Sequence, residues 1–208
     1  MPDATAISHQ RMPERPPLIA SHSRRIAGRT AATLSCFALG WFAWGQAEAS
    51  GTLSAFLAVG SVAALVVAVL GVIATFARAP AAGALRDTAA PPRYGRLIAI
   101  EFAVIGLGVL ALGAMDASTY IPVWVCAVVG LHFFPLASAV GAPALRWLGA
   151  AVSAVAGAAL LVGLLSEMAP SSVTGAGAGL ALLVFATLAL AGPAWSMSRH
   201  AGSRPPAP

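Results

Sequence analysis

The chain has 208 residues, 59% hydrophobic and only 9% charged, with a formal net charge of +5. Soluble domains carry roughly 25% charged residues, so the 12 basic and 7 acidic side chains present are too few to solvate a surface of this size. These totals exclude a soluble globular enzyme, a disordered chain and a disulfide-stapled secreted domain, and point to a membrane protein.

Residues 1–25 carry Pro2, Pro13, Pro16 and Pro17 among polar side chains and read as a disordered cytoplasmic tail. A six-helix transmembrane domain is expected over 26–197, because a helix crossing ~30 Å of hydrocarbon needs about 20 apolar residues. Six segments qualify: 31–49, 53–77, 97–115, 120–142, 145–165 and 174–197. The first is the weakest, with Gln46 and Glu48 at its far end, and the second the clearest, with no charge from Leu53 to Ala77. The runs are continuously apolar, whereas strands of a membrane barrel would alternate with period two. The expected fold is therefore all-α, a six-helix bundle of three antiparallel hairpins. Residues 198–208 read as a second disordered tail.

Every basic residue is Arg, and all 12 fall in alternate polar segments: before the first span, between spans two and three, between four and five, and after six. The intervening loops carry Glu48, Asp116 and Glu167 instead. By the positive-inside rule both termini lie in the cytoplasm of a bacterial plasma membrane, and the Arg-rich face meets anionic headgroups. No basic patch sits on a polar domain, so nucleic acid is not an expected partner. Ser23-Arg24-Arg25 with Ala47-Glu48-Ala49 also fits a cleaved leader over 1–49, a reading opposed by the further spans that follow it.

Glycines Gly45, Gly113 and Gly163 each fall about 17 residues after an Arg (Arg29, Arg96, Arg146), which reads either as three repeated hairpins or as one topology rule applied three times. Small residues recur at four-residue spacing: Gly60, Ala64 and Ala68 in span two; Gly149, Ser153 and Gly157, beside Ala150, Ala154 and Ala158, in span five. Such stripes let helix backbones approach inside the bundle or in a homo-oligomer. Trp41, Trp44, Tyr120, Trp124, Trp147 and Trp195 lie near span ends and read as an interfacial belt.

Two ionisable groups fall within spans, where they are costly and usually face a partner. Glu101 lies about 7 Å and His132 about 12 Å from the cytoplasmic ends of spans three and four, at ~1.5 Å per residue. These spans are joined by a short loop, so the two side chains can meet and relay protons or hold a polar ligand. The alternatives are structural: Glu101 snorkelling or pairing with Arg93 or Arg96, and His132 bonding a carbonyl. One His and one Glu do not complete a metal shell, and no cofactor motif is present. Gly175-Ala176-Gly177-Ala178-Gly179 follows no strand and lacks a Lys, so it is not a phosphate loop. Cys36 and Cys126 differ in depth by roughly 10 Å, too far for a mutual disulfide.

The stretch Val129-Gly130-Leu131-His132-Phe133-Phe134-Pro135-Leu136-Ala137 is the most distinctive in the chain. Pro135 removes the helical bond to Leu131 and is expected to kink span four. With Arg93-Tyr94-Gly95-Arg96 and Glu101 upstream, the block resembles a family of uncharacterised small multi-pass bacterial membrane proteins. That resemblance covers spans three and four and implies a membrane protein without implying an activity. The leading expectation is a non-enzymatic accessory or interaction protein, partnered by lipid and by a second copy or another membrane protein. The alternative is a small transporter or channel with Glu101, His132 and Pro135 lining a polar pathway. An intramembrane enzyme is disfavoured because no nucleophile–base set is present.

Overall fold

The computed structural model describes residues 17–76 and 92–192. They form six helices: α1 (Pro17–Gln46), α2 (Gly51–Phe76), α3 (Pro92–Ala114), α4 (Ile121–Val140), α5 (Ala144–Leu165) and α6 (Pro170–Ala191), with a 3-10 turn at Ser118–Tyr120 before α4. Among the described residues there is no strand. The helices α2 to α6 are each long and apolar enough to cross a membrane, and this defines a multi-pass helical membrane protein. The first helix is not among these five. Its apolar stretch is diluted by Arg25, Arg29 and Gln46, which are good helix formers but not apolar ones.

The boundaries follow local chemistry. Pro17 and Pro170 lie in the first turn of their helices, where the missing N–H costs nothing. Residues 17–25, expected as tail, are therefore helical, and α6 starts four residues before the expected 174. Gly141, in the left-handed region at φ 66°, closes α4, and its N–H and that of Ala142 both reach the Ala137 carbonyl. Gly192, at φ 92°, closes α6, so the expected span to 197 ends early, with 193–197 outside the described residues. The predicted tails 1–16 and 198–208 and most of the loop 78–96 also lie outside them.

Helices that follow one another in the chain and touch run antiparallel, while α6 lies parallel to α2 and α4, so the bundle is not simply three hairpins side by side. The last helix, α6, packs against α1, α2, α4 and α5, while α3 packs on α4 and the turn before it. Where α1 and α6 cross, a Cβ on Gly175 would lie 2.7 Å from the Trp41 carbonyl and 2.8 Å from the Gly45 nitrogen. One turn inward, the fully buried Phe42 ring fills the space over Gly60 of α2 and Gly179 of α6. The Gly-rich run 175–179 is thus a helical packing surface. On α2, Gly60, Ala64 and Ala68 face inward as a stripe. On α5 the expectation divides: Gly149 and Ser153 press on Gly130 of α4, whereas Gly157, Ala150, Ala154 and Ala158 are exposed. The three glycines of the rhythm also differ. Gly45 and Gly163 are crowded, and Gly113 has nothing near its Cβ position.

Large apolar side chains cover the outside. On α2 alone, Val59, Val62, Leu65, Val66, Val69, Leu70, Ile73 and Phe76 are exposed. A contiguous face of this kind suits lipid and not water. The antiparallel order gathers Arg29, Arg96 and Arg146 at one end of the bundle and Glu48, Asp116 and Glu167 at the other.

Candidate functional site

The seam between α3 and α4 brings the two in-span ionisable residues together. Glu101 follows Arg96 by little more than a turn of α3, and His132 sits in the inner half of α4. His132 Nδ1 lies 3.5 Å from Glu101 Oε2, with side chains 12% and 15% exposed respectively. Of the alternative partners expected for these residues, neither Arg96 nor a backbone carbonyl is the one found. The separation is ion-pair range and longer than a well-formed N–H···O bond. Each group therefore retains freedom to turn towards a third one. Chemically, the pair can hold a proton between a carboxylate and an imidazole, or accept a small cationic or hydrogen-bonding ligand.

Pro135, expected in the same pathway, is exposed on the next turn, and α4 continues through it to Val140. It does not join the pair. The flanking aromatics divide: Phe133 packs towards the core beside Gly149, and Phe134 is 39% exposed. On the other side of α4, Gly130 admits Ser153, whose Oγ is buried with no partner among the described residues. Cys126 donates to the Val152 carbonyl at 3.5 Å, while Cys36 is exposed on α1, and both thiols are free. Among the described residues no group of three His, Cys, Asp or Glu is placed to hold a metal.

Two polar arrangements escape the sequence reading. At the acidic end, the Ser171 hydroxyl donates to the Glu48 carboxylate and Ser172 Oγ donates to the Gly45 carbonyl at 3.3 Å, fastening α6 to the end of α1. Gln46 and Ser54 exchange two hydrogen bonds, at 3.0 and 3.3 Å, between α1 and α2. The signal was present, since Gln46 and Glu48 end an apolar run and Ser171, Ser172 and Thr174 begin another. Which hydroxyl meets which acid depends on the α1–α6 contact, which spans most of the chain.

Trp124, read as part of an interfacial belt, lies over Gly108 of α3 and donates its indole N–H to the Val104 carbonyl at 3.3 Å. Trp41 is 6% exposed and stacks on Trp44 with ring centroids 5.6 Å apart. Tyr120 donates to the Gly163 carbonyl at 3.2 Å. Trp195 lies outside the described residues.

Fold and site together define a multi-pass membrane protein with a Glu–His pair between two of its spans. Compared with protein families, curated proteins and solved structures, the chain matches none.

Proposed function

We propose that the chain is a six-span, non-enzymatic protein of the bacterial plasma membrane, with both termini cytoplasmic, acting as a small transporter or channel for protons or small cations. The observation that carries the functional part is the Glu101–His132 pair. An ionisable pair within spans is expensive and is retained where a proton or polar ligand must be handled. The sixth span is supported by α1 itself. It runs beside α2 from the Gly28–Gly71 contact to the Gly45–Leu57 contact, a length of about 26 Å at ~1.5 Å per residue, close to the hydrocarbon thickness. Arg29, Arg96 and Arg146 then lie at the cytoplasmic headgroups.

The test is proton and cation flux into proteoliposomes under an imposed gradient, followed with a pH-sensitive dye. Wild-type protein should conduct, and Glu101→Gln and His132→Gln should abolish flux while the protein stays folded. A folded wild-type protein that moves neither protons nor monovalent cations refutes transport. Single cysteines placed in 78–96 should react with an impermeant thiol reagent only from the cytoplasmic side; external labelling overturns the topology.

A second reading, an accessory protein acting by helix contact, is favoured by the packing. Phe42 and the glycine contacts at Gly45–Gly175 and Gly130–Ser153 fill the described interior rather than framing a central path. A stable partner co-purifying from native membranes, with no flux, would establish it.

A further inference from the structure

The geometry points to Gly108 and Trp124 as positioning residues that set the register of α3 on α4 and so hold Glu101 against His132. The meaning of this inference rests on the proposed role of the pair; its test does not.

The third helix has no buried residue over its spanning stretch. Lipid tails are as apolar as its side chains, so no hydrophobic force presses it onto α4, and its seat depends on shape and polar contacts. Two such contacts are present. One is the Glu101–His132 pair. The other is the Trp124 indole lying over the bare backbone of Gly108, where a Cβ would overlap ring atoms Nε1 and Cε2, with the indole N–H on the Val104 carbonyl one turn away. The two contacts are about 11 Å apart along α3 and about 12 Å apart along α4 at ~1.5 Å per residue. These near-equal spacings on antiparallel helices mean that seating one contact seats the other. A slip of one residue shifts α3 by ~1.5 Å and turns it ~100°, which removes Glu101 from the seam. Arg146 of α5, at the same end, is turned to Ser138 Oγ at 3.5 Å, and His132 is the partner found for Glu101 in this register.

The other glycines of α3 sharpen the assignment. A Cβ on Gly106 or Gly113 meets nothing within 4 Å. Adding a methyl group there changes the same helix without touching the seam.

The experiment uses the full chain in lipid nanodiscs, with glutamate carboxyl carbons labelled with 13C and histidine ring nitrogens with 15N. Solid-state dipolar recoupling then reports the Glu–His contact. Wild-type protein should give the signal, and Glu101→Gln should remove it, assigning it to this pair. Gly108→Ala and Trp124→Ala should each lose it, while Gly106→Ala and Gly113→Ala keep it. A folded Gly108→Ala or Trp124→Ala protein that retains the signal overturns the inference, as does its loss in both control variants. If Gly108→Ala fails to fold, Trp124→Ala decides alone. Absence of ion flux would refute the transport reading and leave this result standing.

Discussion

Replacing Gly175 by Ala should destabilise the bundle, although alanine is the better helix former. A Cβ on Gly175 would sit 2.5 Å from Gly45 Cα, 2.7 Å from the Trp41 carbonyl oxygen and 2.8 Å from the Gly45 nitrogen. Carbon atoms pack best at ~3.5–4.0 Å, so the shortfall is about 1 Å. All three obstacles are backbone atoms, and no rotamer change relieves them; α1 and α6 must separate. A gap of ~0.5–1 Å forfeits a quarter to a half of each dispersion well at the crossing, and overpacking of this kind costs ~1–3 kcal/mol. Helix propensity returns up to ~1 kcal/mol. The net loss should be about 1–2 kcal/mol, or roughly 5- to 30-fold in the folding constant. Gly157→Ala is the internal control, because its Cβ meets nothing within 4 Å and only the propensity gain applies. Reversible unfolding in mixed micelles, followed by tryptophan fluorescence, measures both; the stacked Trp41–Trp44 pair lies beside the crossing. Equal stability changes in the two variants would refute the argument that α1 and α6 meet backbone to backbone.

Other outcomes follow from single contacts. Glu48→Ala removes the acceptor for Ser171 and should cost about 1 kcal/mol in the same unfolding assay, with Glu167→Ala near neutral. Tyr120→Phe removes the bond to the Gly163 carbonyl and should cost about 0.5–1.5 kcal/mol, read as a lower unfolding midpoint. An apolar thiol reagent should modify exposed Cys36 in detergent and spare buried Cys126 until the protein unfolds, as resolved by peptide mapping.

The helices were legible because hydropathy acts locally: a run such as Leu53 to Ala77 declares itself without reference to the rest of the chain. Their ends were less legible. Hydropathy marks where a helix is apolar, whereas Pro17, Pro170 and Gly192 mark where the backbone starts and stops. The Glu101–His132 contact could be anticipated because a short loop forces α3 and α4 together, leaving only depth to be matched. Pro135 could not be placed the same way, since its side depends on the rotation of α4 within the bundle. Glu48 shows in the sequence only as an acid at the end of an apolar run, because its partner lies more than a hundred residues away. Gly175 and Gly179 carried the four-residue spacing of a packing helix, yet their Gly-rich run first invited comparison with a phosphate loop.

The place of α6 has a consequence for biogenesis. Among the described helices it is the sixth to be synthesised and the one that touches α1, α2, α4 and α5. Gly45 waits while about 130 residues are added before Gly175 appears, roughly 6–25 s at ~5–20 residues per second. Until then the α1–α2 and α3–α5 segments lack the helix that touches both. Emergence of α6, rather than of α1, supplies the helix that touches both groups. A ribosome that stops short of Pro170 leaves α1–α2 and α3–α5 without the element that joins them.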